Sequence, residues 1–190
     1  TTLFGRAIFE KLMDNVKVRA RKIMKKWKIM ENNKNGRARL IHMQYSEGSL
    51  GRVFVLRMDH GEDLIESLQK FLKEKKIASC TALFIGALRD GRAVTGPKLP
   101  VVPPLPNYEA YESAWEVFGM ATIYPSKEGP KMHIHSGMGK GREVLLGCIR
   151  DKAEVYLIVE AVLFEICGLV AERAWDEKMQ LYLLSLKERL

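Results

Sequence analysis

Apolar and polar positions alternate with two different periods along this chain. From Leu3 to Met30, residues Phe4, Ile8, Leu12, Val16, Ala20, Ile23, Trp27 and Met30 recur every three or four positions, which predicts one long or two shorter amphipathic helices. Arg19, Arg21, Lys22, Lys25, Lys26 and Lys28 fill much of the remaining surface and make it basic. The run Glu31-Asn32-Asn33-Lys34-Asn35-Gly36 predicts a helix stop, because Asn and Gly accept the left-handed conformation that ends helices. A linker is expected from there to about Gly51.

Beyond Gly51 the pattern shifts toward strands. Arg52 to Arg57 is a β-rich run. An acidic turn, Asp59 to Asp63, precedes a helical stripe of Leu64, Ile65, Leu68, Phe71 and Leu72, with Lys73, Lys75 and Lys76 suited to the negative end of the helix dipole. The helix should run for about fourteen residues. Ile77 to Ala87 predicts a second strand and Asp90-Gly91 a hairpin turn. Five prolines between Pro97 and Pro106 remove ladder donors, so that piece is expected to be a surface loop. Trp115 to Tyr124, Lys131 to Ser136, Arg142 to Ile149, Glu154 to Ile166 and Met179 to Leu186 read as further strands. Short connections between many strands favour antiparallel pairing. The fold class expected is α+β: a mainly antiparallel β-sheet packed with one or two helices, preceded by a basic amphipathic helical arm. Residues 1–50 form the arm and linker, and residues 51–190 one globular domain.

Charge sharpens this division. Residues 1–50 carry twelve Lys or Arg against four Asp or Glu, whereas residues 51–190 carry nineteen of each. A basic segment joined to a neutral globule suits a polyanion such as nucleic acid; a solvated helix face is the alternative. Composition, 47% hydrophobic and 28% charged, is that of a globular protein. Cys80, Cys148 and Cys167 are an odd number and a poor disulfide framework, which favours a reducing, cytoplasmic setting with Cys80 and Cys167 as inert core thiols. The longest apolar stretch, Val155 to Ala171, is interrupted by Glu160 and Glu165, so no membrane span is expected. Met43 is a possible alternative start, which would leave the arm outside the mature protein.

One constellation carries chemistry. In a strand, residues two apart share a face, so His133 and His135 point one way while Ile134 points to the core. Cys148 follows after a segment containing Gly137, Gly139 and Gly141, which lets its strand return beside the histidines. Two imidazoles and a thiolate suit zinc or a similar transition metal, with a fourth position open. Spacing alone favours the plainer reading, two histidines lining a polar strand face and a small buried cysteine. Glu116, Arg150 and Arg173 are charges embedded among strand residues. For Arg150 ordinary cross-strand pairing is expected.

The order of several short motifs resembles the plants-and-prokaryotes-conserved domain family: Arg52 to Leu56, Gly61-Glu62-Asp63-Leu64, Gly86-Ala87, Glu116-Val117, Pro130 to His135, Gly147-Cys148 and Arg173-Ala174-Trp175-Asp176. The resemblance spans about residues 51 to 186. It implies a homotrimer and a metal held by the His-X-His pair plus one further ligand, often a third histidine after two glycines. Here Leu146-Gly147-Cys148 stands at that place, which implies His133, His135 and Cys148 as ligands and tilts the preference toward zinc. Glu116 and Arg173 become candidates for positions around the metal or at a subunit interface. A thiolate ligand leaves metal-bound water less acidic than a third imidazole would, which argues against catalysis.

Plant relatives in this family pair the domain with an AT-hook, but Asn35-Gly36-Arg37-Ala38-Arg39 lacks its proline and first arginine. Nucleic-acid contact is therefore expected from Lys22, Lys25, Lys26 and Lys28, directed at phosphates, with Arg37 and Arg39 as minor-groove candidates. The function expected is a homotrimeric metal-binding module, DNA-binding or regulatory, rather than an enzyme. The alternative is a zinc-dependent enzyme acting on a small molecule at a subunit-interface site.

Overall fold

A computed structural model describes residues 30–32, 38–40 and 43–186. The chain divides into a unit of residues 1–44 and a unit of residues 45–190. In the first, strand β1 (Met30–Asn32) pairs antiparallel with β2 (Ala38–Leu40), placing Glu31 opposite Arg39. Met30 therefore opens a strand instead of closing a helix, and Asn32 belongs to the same strand. Cross-strand pairing with Ala38–Leu40, which the apolar period of the segment does not signal, takes these residues into a ladder. The rest of the expected helix, with Lys22, Lys25, Lys26 and Lys28, lies outside the described residues, as does Arg37.

Among the described residues, the second unit is built on six antiparallel strands and one helix. These are β3 (Ser49–Asp59), α1 (Leu64–Lys75), β4 (Cys80–Pro97), β5 (Pro106–Tyr111), β6 (Trp115–Tyr124), β7 (Lys131–Lys140) and β8 (Glu143–Cys167). A separate hairpin, β9 (Ala171–Asp176) with β10 (Leu181–Leu186), follows. The α+β class expected from the sequence is what the structure shows. The proline-rich piece is a loop, as expected, from Lys98 to Leu105.

Helix α1 forms because its ends and its stripe agree. Asp63 caps it, Oδ1 accepting from the Ile65 and Glu66 backbone N–H groups at 2.9 and 3.0 Å. The other oxygen of Asp63 accepts from Ala153 N at 2.7 Å, which ties the helix start to β8. Lys76 ends the helix in the left-handed conformation, φ 55°. Leu64, Leu68 and Leu72 are fully buried against Phe84, Val159, Leu163 and their neighbours on the inner face of the sheet.

Two boundaries differ from the sequence reading. Asp90-Gly91 does not turn the chain; β4 runs through it, with register shifts on either side of Gly91. A side chain at Gly91 would strike the Tyr111 hydroxyl and the Lys152 carbonyl, so this glycine serves close packing at a bulge. Arg142 to Ile149 and Glu154 to Ile166 are likewise parts of one strand. β8 passes through Asp151 and Leu157, both at positive φ (64° and 61°), which bend it without breaking it.

That bend closes the sheet. One side of β8 pairs with β4 along most of its length, from Cys148 opposite Val94 to Glu165 opposite Cys80. Its other side takes β7 from Glu143 to Cys148 and β3 from Ile158 to Cys167. Since β4 also pairs with β6, and β6 with β7, the strands β4, β6, β7 and β8 form a continuous ring of hydrogen-bonded neighbours.

Candidate metal centre

The ring brings one row of side chains together on its outer face. Directly opposed residues point the same way. Following the pairings across the strands gives Val55, Val162, Leu83, Met120, His135 and Cys148 in one row. His133 stands two positions along β7 from His135 and opposite Thr122 of β6. Ile134, between the histidines, is buried in the core, as the alternation requires. The three candidate ligands therefore share one side of two adjacent strands.

The geometry is that of a ligand cluster. The nearest ligating atoms of His133, His135 and Cys148 all lie within 4.8 Å of one another. The two Nε2 atoms are 3.0 Å apart, and the rings meet edge to face at 4.7 Å between centroids. Zinc bound at ~2.0–2.3 Å to N and S ligands needs donor separations of roughly 3.3–3.8 Å, so rotamer-scale adjustment would seat a metal here. The donor set fits a borderline transition metal.

Charge around the cluster is positive. Burial pushes His133 down to about 4, and the neighbouring His135, Arg173 and Arg150 act in the same direction. Burial raises the Cys148 thiol, while Arg150, a hydrogen bond with the Ile134 backbone and Arg173 oppose the rise. A metal would replace that proton, since thiolate is the ligating form.

Arg173 comes from outside the ring. Its backbone N–H donates to the Pro125 carbonyl at 2.7 Å, and Tyr182, on the paired strand β10, donates its hydroxyl to Glu128 at 2.7 Å. This sets the hairpin beside the end of β6. The Arg173 side chain is buried, its Nη2 donates to Thr122 Oγ1 at 2.8 Å, and its guanidinium stands 5.6 Å from the centre of the Tyr124 ring.

Other sequence candidates fall differently. Glu116 is exposed and opposite Gly139, four positions along β6 from Met120, hence about 13 Å along the strand from the level of His135. Arg150 was expected to pair across strands, but it sits opposite Arg92, whose own guanidinium is held by Asp151. It lies two residues beyond Cys148 on the same side of β8. Continuing the β7–β8 register brings it level with His133. Cys80 is fully buried, but Cys167 is exposed, because it ends β8 opposite Ser49. Thr122 and Tyr124 were not singled out from sequence; only their i, i+2 alternation with the core residue Ile123 between them hinted at a shared outer face.

An antiparallel α+β ring with a His, His, Cys cluster on its outer face thus defines the class. The profile of the Plants and Prokaryotes Conserved (PCC) domain matches residues 45–167, and the chain belongs to that family. Among solved structures, a metal-containing protein from Archaeoglobus fulgidus is 29% identical with a TM-score of 0.66, over 74% of this chain and 98% of that one. A plant- and prokaryote-conserved protein from Pyrococcus horikoshii is 22% identical with a TM-score of 0.66, over 76% and 99%. A candidate DNA-binding protein from Bacteroides thetaiotaomicron is 19% identical with a TM-score of 0.62, over 76% and 99%. No curated protein sequence matches. No helix among the described residues is long and apolar enough to cross a membrane.

Proposed function

We propose that this chain is a homotrimeric, zinc-binding member of its family that acts as a regulatory, DNA-binding module, with His133, His135 and Cys148 as metal ligands. The observation that carries the reading is the convergence of those three donors within 4.8 Å on one outer sheet face. The metal-containing relative from Archaeoglobus fulgidus supports it. In this arrangement the ligands come from two strands that already hydrogen-bond to each other, so the metal would cross-link paired strands rather than create the fold.

The trimer reading is supported by the surface beside the cluster. Leu83, Ile85, Phe118 and Met120 lie on the outer face of β4 and β6 in directly opposed pairs, and Phe118 is 66% exposed. An apolar patch of this kind usually marks an interface. DNA contact is assigned to residues 1–42, whose basic side chains Lys22, Lys25, Lys26, Lys28, Arg37 and Arg39 would meet phosphates. The candidate DNA-binding relative supports the DNA-binding reading as such, and not the choice of residues 1–42 for the contact. A cytoplasmic setting fits three cysteines with no disulfide among them.

Metal analysis of the purified protein and of Cys148→Ala tests the centre. Stoichiometric zinc in the unsubstituted protein, lost in the variant, is expected. Zinc retained in full by C148A removes the thiol from the ligand set.

A further inference from the structure

We infer that the metal centre receives a small oxyanion, a carboxylate or phosphate group, and that the buried guanidinium of Arg173 is its receptor. This deepens the metal-centre reading and rests on it for the second contact of the ligand, at the open metal position.

A guanidinium removed from water needs anionic or multiple polar partners, because an uncompensated buried charge is costly. Arg173 is 8% exposed, yet no carboxylate pairs with it among the described residues. Nη2 has the Thr122 hydroxyl, and the buried Nε has no acceptor among the described residues. The Tyr124 ring supplies a partial counter-charge only. The cluster beside which Arg173 lies has no carboxylate, and its one possible anion is the Cys148 thiolate that a bound metal would create. Thr122, the one hydrogen-bond partner of the Arg173 side chain among the described residues, stands directly opposite His133.

Arg150 strengthens the case independently. It projects from the side of β8 that carries Cys148, and its cross-strand neighbour is Arg92 rather than an acid. Two guanidinium groups from different elements thus flank two imidazoles and one sulfur. With zinc in place the set would carry an excess of positive charge, which an incoming oxyanion reduces. The planar fork of an arginine binds two oxygens of a carboxylate or phosphate through parallel N–H···O contacts; a phosphate keeps a further oxygen for the metal, and a carboxylate would reach it through the second lone pair of one of the same oxygens. Thr122 fixes the Arg173 fork in advance.

The test measures thermal midpoints and titration calorimetry of the zinc-loaded full chain with inorganic phosphate and, separately, acetate. Arg173→Gln is the comparison, since it keeps a donor for Thr122 without the charge. A saturable phosphate or acetate response in the unsubstituted protein, weakened at least about tenfold in R173Q with zinc content unchanged, is expected from losing one charge-assisted pair. No response to either anion in zinc-loaded protein overturns the inference and leaves the metal reading standing. Equal responses in both proteins also overturn it. Loss of the oligomer in R173Q with no anion response in the parent overturns it as well, and assigns the guanidinium to a partner subunit's acid. Protein that carries no metal fails the underlying reading instead. Should R173Q not fold, the Arg173 Nε–H resonance of the unsubstituted protein must shift on adding phosphate; an unmoved resonance overturns the inference.

Discussion

Glu165 of β8 grips Arg52 of β3 with both carboxylate oxygens. Oε2 accepts from Arg52 Nε at 2.7 Å and from its backbone N–H at 3.2 Å, while Oε1 accepts from Nη2 at 2.9 Å. The same Nη2 donates to the Lys75 carbonyl at 3.1 Å, in the last turn of α1. One ion pair thereby joins two strands and the end of the helix.

This pair makes stability depend on pH in a defined direction. Hydrogen bonds from Arg52 hold the Glu165 carboxyl down to about 2, below its ordinary 4.5. A carboxylate lowered in the folded state adds stability that is complete above the unfolded value and lost as pH falls through the folded one. Glu165→Gln should therefore unfold at lower denaturant than the parent at pH 6. The difference should shrink below pH 4.5 and vanish near pH 2. Arg52 is half exposed, so solvent screening keeps the effect modest. A difference that grows on acidification contradicts the assignment.

Asp63 offers a sharper stability test. Removing it deprives two helix N–H groups and the Ala153 N–H of their acceptor. Asp63→Ala should cost about 2–3 kcal/mol by equilibrium denaturation, from a lost cap plus a part-buried hydrogen bond. A cost under about 0.5 kcal/mol would show that water replaces the carboxylate.

The proposed metal centre can be tested by position along the strands. His135→Ala should lower zinc affinity by more than the roughly 10–100-fold typical of an outer partner. Glu116→Gln should leave zinc content and affinity unchanged, because Glu116 lies well along β6 from the cluster. Competition with a chelator distinguishes the two, and a zinc defect in E116Q would bring that residue back toward the site.

The outer face predicts assembly. Phe118→Asp places a charge in the centre of the exposed apolar patch and should shift sedimentation from trimer to monomer, with the helical and strand signature of the circular dichroism spectrum retained. An unchanged sedimentation coefficient would locate the interface elsewhere.

The basic segment predicts salt-sensitive DNA binding. If residues 1–42 engage six phosphates, affinity should drop about 10³-fold between about 50 and 200 mM salt. Deleting residues 1–42 should remove most of that affinity. Equal binding before and after deletion excludes the segment.

The alternation of His133, Ile134 and His135 put both imidazoles on one face with Ile134 in the core, and the Leu64–Leu72 stripe placed the helix, because both patterns are local. What the chain order does not reveal is contact between distant elements. Arg173 reaches Thr122 across fifty-one positions, and nothing in either neighbourhood encodes the meeting. Gly91 reads as a turn because Asp-Gly favours one; its real constraint, the closeness of Tyr111 and Lys152, arises only once three strands have assembled. The same holds for Asp151 and Leu157, whose side chains give no hint of a left-handed backbone.

Because β8 returns to β4, the strands of the ring have both flanks occupied over much of their length. Within the six-stranded sheet only β3 and β5 end a row, so sideways addition of a foreign strand has just those two places to begin. Copies of this domain are thereby steered to meet flat against one another, and runaway edge-to-edge polymerisation is discouraged by the topology itself.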